Sequence, residues 1–380
     1  MALAMSKKKR RILSASLAAA LGTFSVLCAR QAGQALPLAS GLWAAGSFVA
    51  SPAAAAMAAL RTLDDAVPRP EPPKADPSAP STPVLPAQAP EVPQQPAPKP
   101  PPSEPPAPEQ EPPPEGTGRI ITAHYQDGSG GAYVPCGSGS IKNCTALDNT
   151  EIAQTIAQGL PFSIEVNSND PQVLIMHTHT TESYEDAPRS WYHPEATSRT
   201  TDPEKNVVAV GRAMAQQLNE AGIHTIQDTT LHDYPSYNGS YARSHKTVEA
   251  LLAQHPSIKV VLDVHRDAVI QQDGTWVKPI VELPDQGPCA QVMLICGADK
   301  GGNLPNFHQN LRFAGAWQSS MAKMYPGLAR PVLFDYRYYN QDLTTGSLLI
   351  EVGGHANTLE EAVNAGALAG KALAAALLAG

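Results

Sequence analysis

Residues 173–184 read Val-Leu-Ile-Met-His-Thr-His-Thr-Thr-Glu-Ser-Tyr, and this is the most informative segment of the chain. Its four apolar residues follow closely after Pro171 and predict a strand that is buried on both faces. The pattern then changes to two histidines, a glutamate and several hydroxyl side chains. Ligands of open α/β sheets bind in the crevice outside the carboxyl ends of the strands. The segment therefore predicts a buried strand that ends at a polar site.

Two more apolar runs end in ionisable side chains. The run 258–264 leads into Asp-Val-His-Arg-Asp, which contains His265, and the run 347–351 ends at Glu351, closely followed by two glycines. Further strands are predicted at 223–226 and 291–296, and helices at 149–160, 202–220, 241–254, 307–325 and 358–378. Strands that alternate with helices of this length predict an α/β fold with a mixed, mostly parallel sheet and helices on both faces.

The ionisable residues at these strand ends are of the types that bind a catalytic metal. His177, His179 and His265 offer imidazoles, and two imidazoles with one carboxylate hold zinc with a position open for water. A separate carboxylate, for which Glu351 is well placed, then moves the proton of that water. The alternative is purely structural: an exposed polar turn, a core histidine at 265 and a capping carboxylate at 351. The three strand ends together favour the hydrolase interpretation.

The first third of the chain differs in composition from the rest. Residues 1–11 predict a basic, cytoplasmic tail. Residues 12–29 carry no charge and predict a membrane anchor, with a cleaved signal segment as the alternative. Residues 30–66 predict an apolar juxtamembrane segment. Most of the 37 prolines fall in 67–118, which predicts a disordered tether, and 119–380 form the catalytic domain. The basic flank predicts a single-pass protein of the cell membrane with an extracytoplasmic domain.

Charge and cysteine content exclude some partners and sites. The net charge is −8 despite the basic tail, so nucleic acid is an improbable partner. The five cysteines include no Cys-x-x-Cys pair, which argues against a thiolate zinc site. Cys136 and Cys144, like Cys289 and Cys296, are close in sequence. Either pair forms a disulfide in an oxidising compartment or remains as unpaired small residues.

Four motifs of the chain resemble, in the same order, those of the stage II sporulation protein P family. They are His177-Thr-His-Thr-Thr-Glu-Ser-Tyr, Asn206-Val-Val-Ala-Val-Gly, Asp263-Val-His-Arg-Asp and Ile350-Glu-Val-Gly-Gly. The resemblance covers about residues 119–380. That family contains membrane-anchored peptidoglycan hydrolases of endospore-forming bacteria, and it is similar to zinc-dependent N-acetylmuramoyl-L-alanine amidases. The resemblance implies an amidase-like fold and hydrolysis of the bond between N-acetylmuramic acid and the L-alanine of the stem peptide.

The resemblance also implies roles for individual residues. It makes His179 and His265 ligands of Zn²⁺ and Glu351 the catalytic carboxylate. The third ligand is Glu182, which belongs to the family's own motif, or Glu204, which lies in the first turn of the helix expected after Asp202. Glu182 is the preferred choice.

Other implications concern neighbouring residues and partners. His177 either supports the ligands or contacts substrate in catalysis, and Arg266 and Asp267 orient the reacting groups. The family implies cleavage of peptide cross-links as a further activity and cooperation with stage II sporulation proteins D and M in engulfment. The competing hypotheses are a zinc peptidase or deacetylase acting on another wall bond, and a wall-binding scaffold without catalysis.

Overall fold

The computed structural model describes residues 113–379. The predicted basic tail, membrane segment and juxtamembrane segment, and most of the proline-rich tether, lie outside the described residues. Within them, the chain forms twelve strands and five helices. The strands are β1 Gly118–Ala123, β2 Tyr133–Cys136, β3 Gly139–Asn143, β4 Val173–Met176, β5 Trp191–Tyr192, β6 Thr225–Gln227, β7 Val260–Asp267, β8 Trp276–Leu283, β9 Gly287–Ala290, β10 Val292–Gly297, β11 Val332–Asp335 and β12 Gly346–Gly354. The helices are α1 Asn149–Ile156, α2 Val207–Glu220, α3 Ser240–Gln254, α4 Phe307–Met324 and α5 Leu359–Leu378.

The central sheet has eight strands in the order β2-β3-β11-β10-β12-β7-β4-β6. Neighbouring strands are parallel except in the pairs β2–β3 and β10–β12. This confirms the predicted mixed, mostly parallel sheet. A second sheet in the order β5-β1-β8-β9 contains two antiparallel pairs and was not predicted.

Helices cover both faces of the central sheet, as predicted. Leu262, Val264 and Ile350 face the larger core, which also contains the buried sides of α2, α4 and α5. Leu174 and Val261 face the other side and pack against α3. Because side chains alternate along a strand, β4 supplies both cores, and all four of its residues are buried.

The start of α2 corrects one prediction. The helix begins at Val207 and not after Asp202, whose carboxylate instead accepts a hydrogen bond from the Glu204 amide in a turn. Asn206 is the N-cap: its side chain accepts from the Val208 amide and also donates to the Thr200 carbonyl. This buried amide therefore fixes both the helix start and the loop before it, which the half-buried Asp202 does not.

The four cysteines of the described residues are free, and neither close pair is bridged. Cys136 is buried and donates a hydrogen bond to the Gly315 carbonyl. Burial raises the pKa of the Cys136 and Cys289 thiols to about 11. These thiols are protonated at neutral pH and act as small core residues.

Among the described residues, α5 is long and apolar enough to cross a membrane, but 67% of it is buried within the domain. Its Thr358–Glu361 capping box fixes the first turn. Gly366 and Gly370 allow close contact with α2, since a Cβ on Gly370 would lie 2.8 Å from the Met214 carbonyl oxygen. The helix is therefore a core element of this fold.

Replacing Gly370 with alanine tests this packing. We expect the free energy of unfolding to fall by about 1–3 kcal/mol, because the new methyl group meets backbone atoms that cannot move aside. The loss occurs although alanine has the higher helix propensity. Urea denaturation measures it, with Lys371→Ala on the exposed side of the same turn as the control. A Gly370→Ala protein as stable as the control would contradict the packing.

Candidate metal centre

Three neighbouring parallel strands bring the candidate residues to one edge of the central sheet. β4, β7 and β12 run in the same direction, so their carboxyl ends lie together. His179 follows β4, His265 lies near the end of β7, and Glu351 lies in β12. Glu351 is the register partner of His265, so the two side chains lie side by side on the same face.

Glu182 lies between the two histidines. Its Oε1 is 3.4 Å from Nδ1 of His179, and its Oε2 is 3.4 Å from Nδ1 of His265. All three side chains are buried, and their potential ligand atoms lie within 4.8 Å of one another. The chain reverses here, because the Glu182 amide donates to the His179 carbonyl, and this turn aims both side chains at the same point.

The spacing of these atoms fits a metal better than it fits direct hydrogen bonds. A nitrogen–oxygen distance of 3.4 Å is longer than a normal hydrogen bond. Ligands placed about 2.0–2.1 Å from a tetrahedral zinc ion lie about 3.3 Å apart. Two imidazoles and one carboxylate are the donor set of a catalytic zinc site with an open position.

Neighbouring groups determine the charge of this cluster. Burial acts to raise the pKa of Glu182, but the Arg266 guanidinium and the two histidines outweigh it and hold that pKa well below its usual range. Burial acts in the opposite sense on His265, but Asp263 and Glu182 raise its pKa well above the usual value. Without a metal, a protonated His265 thus carries the positive charge between two carboxylates.

Asp263 orients His265 from the side away from Glu182. Its Oδ1 lies 2.8 Å from Nε2 of His265 and also accepts a hydrogen bond from the Thr178 amide. The negative charge beside Nε2 favours a proton on that nitrogen, and Nδ1 faces the Glu182 carboxylate. A carboxylate behind a histidine is the usual support of a metal ligand.

The carboxyl group of Glu351 differs in its pKa from that of Glu182 in the ligand cluster. Burial raises the pKa of its carboxyl to about 8, and the nearby Asp267 carboxylate adds to the rise. Its Oε2 has no hydrogen-bond partner among the described residues. A buried carboxyl with a pKa near neutrality is suited both to accept and to donate a proton.

The cluster opens into a cavity of about 360 Å³. Residues from five parts of the chain line it: His179, Glu182, Tyr241, His265, Arg266, Asp267, Ala268, Arg337, Tyr338, Tyr339, Leu349 and Glu351. The cavity thus places the candidate ligands and the candidate base on the wall of one space.

Glu204 and His177, two residues singled out in the sequence, do not reach the cavity. Glu204 is exposed and pairs with Arg212 at 2.8 Å. His177 is fully buried behind the sheet edge, where its Nδ1 donates to the Val264 carbonyl and its Nε2 accepts from Gln227. These two hydrogen bonds hold His177 away from any substrate, so the expected substrate contact does not fit its position.

Arg266 and Asp267 line the cavity but are held by protein groups. The Arg266 guanidinium donates to the carbonyls of Ser183 and Ser198, and its backbone amide donates to Glu182 Oε2. Asp267 pairs with Arg330 at 2.9 Å. Arg266 therefore fixes the loop that carries Glu182, which agrees with an orienting role.

Sequence reasoning missed three supporting residues. Asp263 lies two positions before His265, so the alternation of a strand already places both on one face. Asp233 accepts hydrogen bonds from the amide and hydroxyl of Thr181 and pairs with Arg199 at 2.6 Å. Arg199 reaches Glu182 Oε1 at 3.4 Å. Asp233 and Arg199 lie in loops, and no local pattern marks them.

The model of the family described as stage II sporulation protein P matches residues 135–376. The chain belongs to the stage II sporulation protein P family. The match includes all four motifs and the whole candidate metal centre, so the resemblance inferred from the motifs is confirmed.

Relatives extend this comparison. Stage II sporulation protein P of Bacillus subtilis (strain 168) is 32% identical over 200 residues, which cover 50% of this chain and 47% of that protein. The match thus spans about half the length of the curated relative.

Among solved structures, the CwlD amidase of Clostridioides difficile, in complex with the GerS lipoprotein, has a TM-score of 0.35 and 13% identity over 55% of this chain and 98% of its own. The N-acetylmuramoyl-L-alanine amidase AmiC2 of Nostoc punctiforme has a TM-score of 0.33 and 12% identity over 56% of this chain and 97% of its own. Scores this low support no argument about a shared mechanism.

Proposed function

We propose that this protein is a metal-dependent peptidoglycan hydrolase of sporulation that cleaves the amide bond between N-acetylmuramic acid and L-alanine. The observation that carries the proposal is the buried cluster of His179, Glu182 and His265 beside Glu351 on the wall of one cavity. Membership of the stage II sporulation protein P family supports the wall substrate. Cleavage of peptide cross-links is a second reaction that the same groups are able to catalyse.

The three ligands would hold Zn²⁺, which supplies a water of lowered pKa as the nucleophile. Side chains of the protein transfer the proton and position the ligands. Glu351 would accept a proton from the attacking water and return it to the leaving amine, and the raised pKa of its carboxyl suits both steps. Asp263, 2.8 Å from Nε2 of His265, would favour a proton on that nitrogen and leave Nδ1 available to the metal. Arg266 fixes the loop that carries Glu182.

The sequence outside the described residues supports a location for this activity. We further propose that residues 12–29 anchor the chain in the cell membrane and that residues 67–118 tether the domain within reach of the wall. Stage II sporulation proteins D and M are the proposed partners in engulfment. Labelling of an engineered cysteine in the tether by an impermeant thiol reagent on intact cells tests the orientation, and labelling only after lysis would contradict it.

Digestion of purified peptidoglycan tests the proposed bond. We expect the purified protein to release free stem peptides that begin with L-alanine, identified by mass spectrometry, and expect a chelator to stop the release. Release of cross-link fragments alone would make the protein an endopeptidase. Binding to peptidoglycan without any product, also in the presence of the proposed partners, would favour the scaffold hypothesis.

Metal binding is expected to compete with a proton on His265. Because Asp263 and Glu182 raise the pKa of His265, its Nδ1 is protonated at neutral pH and must lose that proton to bind a metal. The dissociation constant for Zn²⁺ should therefore fall by about tenfold per pH unit between pH 6 and pH 7. Isothermal titration in buffers of different ionisation enthalpy measures the released proton. Affinity that is independent of pH would contradict the assigned protonation.

A further inference from the structure

One wall of the cavity is formed by residues that the proposed mechanism does not use. The segment Tyr336-Arg337-Tyr338-Tyr339, here called the tyrosine segment, follows β11. Arg337, Tyr338 and Tyr339 line the cavity together with the metal centre. Tyr339 also packs against Leu349 and its neighbours on the sheet. The segment is thus part of the same space but contributes no candidate ligand.

The backbone of this wall is held in an unfavourable conformation. Tyr339 and Asn340 both have positive φ, at 45° and 54°, a region that residues other than glycine rarely adopt. The buried Asn340 side chain donates to the Tyr241 carbonyl and to Ser244 Oγ, and the buried Gln341 accepts from the Gly297 amide. Strained backbone that surrounding contacts hold in place is concentrated at binding and catalytic sites.

Arg337 is fixed by two bonds that leave part of its guanidinium group unused. Its Nε donates to Asp335 and its Nη1 donates to the Tyr339 hydroxyl, at 2.9 and 2.8 Å, while Nη2 takes part in neither bond. A guanidinium group whose plane is already fixed loses little entropy when it binds a carboxylate. Arg337 is therefore prepared for an anionic group that enters the cavity.

Stacked rings connect this arginine to the metal centre. The ring of His265 is parallel to that of Tyr241 at 6.5 Å, and Tyr241 stacks on Tyr339 at 5.4 Å. The Arg337 guanidinium lies 5.8 Å from the centre of the Tyr339 ring. At about 3.4 Å per residue, an extended peptide of at most about five residues therefore reaches from the ring of His265 to Arg337.

We propose that Arg337, positioned by Tyr339, binds a carboxylate of the substrate's peptide and thereby selects the substrate, with Tyr338 as the exposed aromatic surface beside it. This inference rests on the proposed function, which places a peptide-bearing glycan in the cavity. Tyr338 is 38% exposed, so its ring is available for contact with the substrate. Arg337 is a specificity residue in this account and takes no part in proton transfer.

Three soluble probes test the proposal: a disaccharide-peptide fragment of peptidoglycan, the same fragment with its peptide carboxylates converted to carboxamides, and the disaccharide without peptide. Affinity is measured by titration calorimetry with the full-length protein after a chelator has removed the metal, so that the fragment is not cleaved, and cleavage is measured by mass spectrometry with the metal-loaded protein. We expect the free-acid fragment to bind about 10- to 100-fold more tightly than the carboxamide, the range expected for hydrogen bonds to a charged group. The disaccharide is expected not to compete.

Substitutions of Arg337 test whether the preference for the free acid depends on this residue. Arg337→Leu should remove the preference for the free acid, leave the affinity for the carboxamide unchanged and raise KM with little change in kcat. Arg337→Lys keeps the positive charge but lacks the planar guanidinium group that donates two parallel hydrogen bonds. This variant should retain part of the preference for the free acid. The exposed Arg212→Leu, which removes the partner of Glu204 far from the cavity, is the matched control.

The outcomes separate this inference from the proposed function. Cleavage with equal affinity for acid and carboxamide overturns the inference and leaves the hydrolase intact. An Arg337-dependent preference without any cleavage supports the inference and contradicts the hydrolase. Binding of the bare disaccharide that depends on Arg337 overturns the assignment to the peptide carboxylate. The comparison of acid and carboxamide uses the wild-type protein, so a variant that fails to fold does not remove the test.

Discussion

Replacement of Glu351 by glutamine is expected to reduce kcat for peptidoglycan by about 10²- to 10⁴-fold, the range of general acid–base catalysis. Glutamine has the same shape but cannot take a proton from water. The variant should still bind one zinc ion, because Glu351 lies beside the ligand cluster of His179, Glu182 and His265 and is not part of it. Product release and metal content are measured on the same sample.

Glu360→Gln is the matched control for this experiment. Glu360 is exposed in the first turn of α5, nine residues after Glu351. Its replacement by glutamine is the same chemical change at a position that does not line the cavity. It should retain wild-type kcat and metal content. If the Glu351→Gln protein kept its activity, another group would have to move the proton. If it lost both metal and activity, Glu351 would belong to the ligands.

The second large effect is expected at Glu182. Replacing its carboxylate with an amide removes the negative charge between two imidazoles, so zinc affinity should fall by at least about 100-fold and activity should fall with it at limiting metal. Titration with zinc in a competing chelator measures the affinity. Excess zinc should restore part of the activity of Glu182→Gln but none of that of Glu351→Gln.

Glu204→Gln is the control that also decides the choice of the third ligand. Glu204 pairs with Arg212 on the surface, so this substitution should leave zinc affinity unchanged. The reverse result, with affinity lost in Glu204→Gln and kept in Glu182→Gln, would require the loop and the start of α2 to rearrange. It would contradict the centre described here.

The sequence was sufficient to predict the parallel core and the edge where the site lies. β4, β7 and β12 are apolar runs that end in ionisable side chains, and both properties are local and visible in a single sequence. The choice between Glu182 and Glu204 as the third ligand could not be made from the local sequence. It depends on Asn206, whose buried amide caps α2 and leaves Glu204 in an exposed turn before the helix.

Other features depend on contacts between distant parts of the chain. β10 is antiparallel to β12, so β11, which is parallel to β10, ends at the opposite edge of the sheet from β12, and the tyrosine segment that follows β11 nevertheless lines the cavity. The strained Asn340 is held by hydrogen bonds to Tyr241 and Ser244 of α3, about 100 positions earlier in the chain, and Tyr339 stacks on Tyr241. The conformational propensity of the local sequence does not reflect such contacts. It also disfavours the positive φ that Tyr339 and Asn340 adopt.

The location of zinc in crystals of the metal-loaded protein tests the central claim most directly. Anomalous scattering at the zinc edge should show one strong peak about 2.0–2.2 Å from His179, Glu182 and His265. The same map should show Glu351 beside the ion but not bound to it. A peak at other residues, or none in protein that still digests peptidoglycan, would contradict the proposed metal centre.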